Sequence, residues 1–100
     1  MDFKLFDSKV EGINVSISVH IGPYCISVNE YRWDKSFERE NSLKGISISK
    51  TMEAAGVGDT EALKTYMLDN FGTEKGADKF ARFLENHNIR CEHEGNTRYI

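Results

Sequence analysis

Five side chains that could act as nucleophile, base or soft metal ligand fall in two short stretches. His20 and Cys25 form one; His87, Cys91 and His93 form the other. Two thiolates and two imidazoles are a complete tetrahedral zinc set, so His20, Cys25, Cys91 and His93 are the metal candidates. Their spacing follows no zinc-finger or zinc-ribbon pattern, and a metal site therefore requires the two stretches to meet in space. Cys25 beside His20 is also a nucleophile beside a base, since imidazole activates a neighbouring thiol. Catalysis would further need an orienting group and an oxyanion site, for which Asn29 and Ser18 are nearby polar side chains on the same face, with no motif joining them. The chain carries no P-loop, dinucleotide fingerprint, paired-carboxylate pattern or serine elbow, and no cofactor is implied.

The first pair is positioned by the stretch Gly12–Trp33. Ile13, Val15, Ile17, Val19 and Ile21 alternate with Asn14, Ser16, Ser18 and His20, the period of a strand with one buried and one wet face. Gly22-Pro23 follows, and Tyr24, Ile26 and Val28 then alternate with Cys25, Ser27 and Asn29. A two-residue type II′ turn at Gly22-Pro23 would pair Ile21 with Tyr24, Val19 with Ile26 and Ile17 with Val28. That register places His20 directly opposite Cys25 on the polar face.

Met1–Phe6 reads as a first strand, with Phe3 and Leu5 on one side. Asp34–Leu43 reads as a long charged connection. Lys44–Lys50 reads as a fourth strand, with Ile46 and Ile48 opposite Ser47 and Ser49. Met52–Gly58 suits a helical turn and a loop. Asp59 or Thr60 can cap a helix over 60–71, whose buried stripe is Leu63, Tyr66, Met67 and Phe71, with Gly72 as its C′ residue. Thr73 can cap a second helix over 74–87, with Ala77, Phe80, Ala81 and Leu84 inward. Ile89–Glu94 and Thr97–Ile100 read as a terminal hairpin turning at Gly95-Asn96. The sum is one α+β domain over residues 1–100: a mostly antiparallel four- to six-stranded sheet with two amphipathic helices packed on one face. Asn14, Ser16, Ser18, Ser27, Asn29, Ser47 and Ser49 would line the other face, which can stay in water.

With 39% hydrophobic and 29% charged residues and a single proline, the composition is that of a folded globular domain. Apolar runs are far too short for a membrane span, and the N-terminus lacks a signal-peptide pattern, so a cytoplasmic protein with reduced cysteines is expected. The net charge is −3: residues 1–50 carry seven acidic and seven basic side chains, residues 51–100 nine and six. That sign argues against general affinity for nucleic acid. Helix, turn, helix and hairpin over 60–100 are similar in outline to a winged helix-turn-helix. On helix 74–87, however, Lys75, Lys79 and Arg82 are offset by Glu74, Asp78 and Glu85.

Tyr31 and Trp33 continue the polar-face register, and Phe37 follows among Asp34, Lys35, Glu38 and Arg39. Aromatic and arginine side chains in charged surroundings are the substance of interface hot spots. Tyr31, Arg32, Trp33, Asp34, Phe37, Glu38 and Arg39 are therefore the candidate partner-binding residues, with Glu30, Asp34, Glu38 and Glu40 able to meet a basic partner site. The function expected is that of a small non-catalytic inhibitor, of the toxin-immunity or phage anti-defence kind, that occludes a partner protein. The alternatives are a metal- or cysteine-dependent enzyme using His20, Cys25, Cys91 and His93, and a nucleic-acid-binding module. An edge strand at 1–6 or 97–100 could also pair two copies into a homodimer.

Overall fold

The computed structural model describes all residues from Met1 to Ile100. Four strands run as an antiparallel meander: β1 (Asp2–Val10), β2 (Ile13–Ile21), β3 (Cys25–Trp33) and β4 (Phe37–Ser47). Three helices follow, α1 (Ile48–Ala55), α2 (Thr60–Phe71) and α3 (Gly76–Asn86), and β5 (Glu92–Tyr99) returns beside β4. The sheet order is β1-β2-β3-β4-β5, and every pairing is antiparallel. This is the α+β fold that the alternation and the helical stripes imply, with three helices in place of two.

All three helices lie on one face, α2 against β1, α3 against β3 and α1 against β4. Val15, Ile17, Val19, Ile21, Ile26, Val28, Leu43 and Ile46 of the sheet meet Leu63, Met67, Phe71, Phe80 and Leu84 of α2 and α3 in one core. Removing each of these large side chains from water contributes about 1.5–3 kcal/mol, which orders the helix layer on the sheet. Phe71 and Phe80 of the core and the half-buried Phe83 beside it form a ring cluster, with centroids 5.3–6.1 Å apart.

Five local readings change. The β2–β3 register pairs Ile21 with Ile26, Val19 with Val28 and Ile17 with Glu30. The loop is thus longer than Gly22-Pro23, closed by the Gly22 amide donating to the Cys25 carbonyl at 3.0 Å. A slip of two residues keeps every side chain on its expected face, which is why alternation alone could not detect it. The charged stretch 34–43 is mostly strand: only 34–36 turns, and β4 begins at Phe37. Asp34 makes this possible by accepting from the Ser36 amide and hydroxyl, both at 2.7 Å, and from the Phe37 amide at 3.2 Å.

Strand character then ends at Ser47, not Lys50. Ser47 is the N-cap of α1 and accepts from the Lys50 amide, and Gly56 closes that helix in the left-handed conformation (φ 72°). Finally, β5 runs straight through Gly95-Asn96 along β4, so there is no terminal hairpin. Asp59 caps α2 as expected, accepting from the Ala62 amide at 2.7 Å. Gly72 ends α2 without a left-handed turn (φ −83°). It is glycine because a Cβ there would lie 2.5 Å from the Leu68 carbonyl oxygen.

Two β-bulges shape the sheet. Gly45 (φ 67°) lets Lys44 and Gly45 together oppose Ser27, between the Leu43–Val28 and Ile46–Ile26 pairs. On β1, Leu5 is the extra residue between the Lys4–Ser18 and Phe6–Ile17 pairs.

Candidate functional site: the helix-free face of the sheet

The two histidine–cysteine stretches lie on opposite faces of the sheet. His20 pairs across to Ser27 and not to Cys25, which sits at the exposed start of β3 opposite Ser47. The His20 imidazole instead takes the Asp2 carboxylate through Nδ1. That bond holds the Asp2 carboxyl below the usual carboxylate range, with the His20 charge adding to it. On the helix side, Cys91 is half-buried against the core and His93 pairs with Leu43. His87 ends α3, its ring 4.5 Å from that of Phe83 and its Nδ1 bonded to the Phe83 carbonyl at 2.8 Å. No three His, Cys, Asp or Glu side chains converge on a point that could hold a metal ion. The four candidates are therefore not one site.

The helix-free face is built from alternate residues of all five strands. Its middle is small and polar: Asn14, Ser16 and Ser18 of β2, Ser27 and Asn29 of β3, and Ser42 of β4. Ser47, the last residue of β4, sits at its end opposite Cys25, whereas Ser49 has turned into the start of α1. Several of these groups bond within the face: Ser42 Oγ donates to Asn29 Oδ1 (2.7 Å), and Lys4 Nζ donates to Ser16 Oγ (2.6 Å). Asp2, Lys4, Ser18, His20, Ser27 and Asn29 surround a shallow depression of about 420 Å³. A second, of about 520 Å³, lies between Lys9, Asn14, Trp33, Asp34 and Lys35. Both are open to solvent.

Beside these depressions stands an aromatic pair. Tyr31 and Trp33 project on the same side of β3, with ring centroids 4.7 Å apart and planes tilted by 33°. Both are half-buried with no helix above them. Across β4 their direct partners are Glu40 and Glu38, and Arg98 of β5 lies 3.8 Å from the Glu38 carboxylate. Desolvation by its neighbours, followed by the Glu38 carboxylate, pushes the Tyr31 hydroxyl pKa up. The β4–β5 side of the face is acidic overall, with Glu38, Glu40, Glu92 and Glu94 against Lys44 and Arg98.

The 31–39 stretch does not act as one patch, because strand alternation divides it. Tyr31, Trp33 and Glu38 share the helix-free face, whereas Arg32, Phe37 and Arg39 point to the other side. Arg32 donates to the Glu74 carbonyl in the loop before α3 (2.7 Å) and reaches Glu30 at 3.3 Å. Glu30, expected to meet a partner, is only 6% exposed and is held by Arg32 and by Asn41 (3.3 Å). Its position in β3 gave the signal, since it occupies the same register as Ile26 and Val28. Asp34 is likewise occupied, holding the β3–β4 turn. No family model, curated protein or solved structure matches the chain.

Proposed function

We propose that this protein is a small non-catalytic inhibitor that binds a partner protein with its helix-free sheet face and blocks that partner's surface. The observation that carries the reading is the Tyr31–Trp33 pair. It is a half-buried aromatic couple at 4.7 Å, on a face no helix covers, with Glu38 and Glu40 directly across the next strand. Flat small-residue surroundings let a partner approach closely, and aromatic anchors within a polar rim supply most of the energy in such interfaces. The acidic β4–β5 side suits a basic partner site. A cysteine- or metal-dependent enzyme would draw on His20, Cys25, Cys91 and His93, which lie apart on two faces.

The test is affinity capture from the native cellular background with the wild-type chain and with Trp33→Ala in parallel. One stoichiometric protein that resists moderate salt, and is lost with a folded Trp33→Ala variant, supports the proposal. Capture that is indifferent to Trp33→Ala, Tyr31→Ala and Glu38→Lys overturns this face as the binding surface.

A further inference from the structure

We propose that β5 is a self-pairing edge. In this arrangement two copies of the chain join β5 to β5, antiparallel about a two-fold axis at Gly95, and so continue one sheet through both molecules. The proposal is independent of the inhibitor reading, which uses a face and not an edge.

The sheet has two edges, and they are built differently. β1 is interrupted by the bulge at Leu5, a device that spoils pairing with a stranger. β5 has no bulge and pairs with β4 in one unbroken register from Glu92–Lys44 to Tyr99–Phe37. All eight of its residues are exposed. The Ile100 amide donates to the Ser36 carbonyl at 2.9 Å, which fixes the alternation of the backbone. Even-numbered residues of β5 turn their N–H and C=O groups toward β4. Those of His93, Gly95, Thr97 and Tyr99 face the free edge, where only water or another strand can satisfy them.

The charges on this strand are arranged to match a second copy. Glu92 and Glu94 occupy its first half and Arg98 its last, on the same face. Reversal about Gly95 sets Glu92 opposite Arg98 of the second copy, and by symmetry the same contact forms twice. Glu94 falls opposite Asn96, and no like charges stand directly opposite one another. Glu92 has no ion-pair partner within its own chain, whereas Glu94 is already engaged by Lys44. Arg98 is held to Glu38 only at 3.8 Å, with its side chain 74% exposed. The same reversal brings Tyr99, 80% exposed, opposite Cys91, which is half-buried against the core. An unrelated strand would meet two glutamates at one end and an arginine at the other. A second copy meets their complement. Such a dimer carries both helix layers on one side and both Tyr31–Trp33 faces on the other.

The experiment is sedimentation velocity of the full chain from low to high micromolar concentration, with three variants. Thr97→Pro removes an N–H that faces the free edge and leaves the β4 ladder intact. Arg98→Glu sets two carboxylates against each other at both ends of the joint, and Glu92→Arg with Arg98→Glu restores the pair in reverse. The repulsion of Glu38 that Arg98→Glu introduces is common to the last two variants, so it cannot explain a difference between them. The wild type is expected to form a dimer of the 11.4 kDa chain. Thr97→Pro and Arg98→Glu are expected to raise its dissociation constant about tenfold or more, with circular dichroism unchanged, and the double variant to recover most of that loss. A wild type that stays monomeric throughout, or a dimer indifferent to Thr97→Pro and Arg98→Glu, overturns the proposal.

Discussion

Arg32 ties the sheet to the helix layer through Glu74: its Nη2 donates to the Glu74 carbonyl at 2.7 Å and lies 3.3 Å from the Glu30 carboxylate. Glu74 precedes α3, so the bond fixes where that helix meets β3, while the buried Glu30 side chain finds a cation beside it. Burying a carboxylate is tolerable only with such partners.

Removing Arg32 therefore costs more than removing an ordinary exposed arginine would. Arg32→Ala leaves Glu30 with Asn41 alone and should destabilise the domain by about 2–4 kcal/mol, because the remaining charge stays buried. Glu30→Gln in the same background should recover part of that loss, since the neutral amide keeps the shape without the charge. Urea unfolding of the two variants checks this. A change below about 0.5 kcal/mol for Arg32→Ala would place it with ordinary surface substitutions.

A second expectation concerns the turn between α2 and α3. A Cβ on Gly76 would come within 1.9 Å of the Phe71 carbonyl oxygen, a backbone atom that cannot step aside. Gly76→Ala should cost more than about 3 kcal/mol or prevent folding, through strain of the kind that gives the largest single-residue effects. Gly58 has nothing within 4 Å and no positive φ. Gly58→Ala should stay within about 0.5–1 kcal/mol of wild type, on the stabilising side. Thermal unfolding of both variants separates contact from composition.

How much of this was legible in the sequence depends on what each residue had to report. Ile13–Ile21 states its face plainly because period two survives any register, and Asp59 and the Leu63–Met67–Phe71 stripe state a helix. The identity of 34–43 as strand was hidden. Both of its faces carry charge, Glu38 and Glu40 on one and Arg39 on the other, and its start depends on three bonds to one Asp34 oxygen. The end of β4 was hidden for a different reason: Ser47 continues an alternation while also serving as a cap, and only Gly56 downstream marks the helix. Pairing of His20 with Asp2, eighteen positions apart, needed the β1–β2 register, which no local pattern encodes.

Acid should weaken the fold through particular carboxylates. Asp34, held by the Ser36 amide and hydroxyl, and Glu94, held by Lys44, both have pKa values below the usual range, as Asp2 does. A carboxyl whose folded pKa is depressed contributes stability above its unfolded pKa and loses it as pH falls through the folded value. Stability should therefore fall as pH drops below the ordinary carboxylate range. Asp34→Asn should flatten that fall. Carbon-detected NMR titration should show each of these three carboxyls titrating below the usual range for its own residue type; ordinary midpoints for Asp34 and Glu94 would contradict their bonding.

The two cysteines should differ in reactivity, and that difference tests their separation directly. Cys25 is exposed at the start of β3. Cys91 is half-buried, and burial, followed by the neighbouring Glu92 carboxylate, raises its thiol pKa. Only the thiolate attacks a disulfide reagent, so at neutral pH the half-buried Cys91 should react more slowly than the exposed Cys25. Cys25→Ser should leave the slow phase alone, and Cys91→Ser the fast one. Stoichiometric zinc should alter neither phase, because the thiols open on opposite sides of the sheet and no third ligand joins either of them. Protection of both thiols by zinc, or a disulfide forming between them under mild oxidation, would require the two faces to communicate in a way this fold forbids.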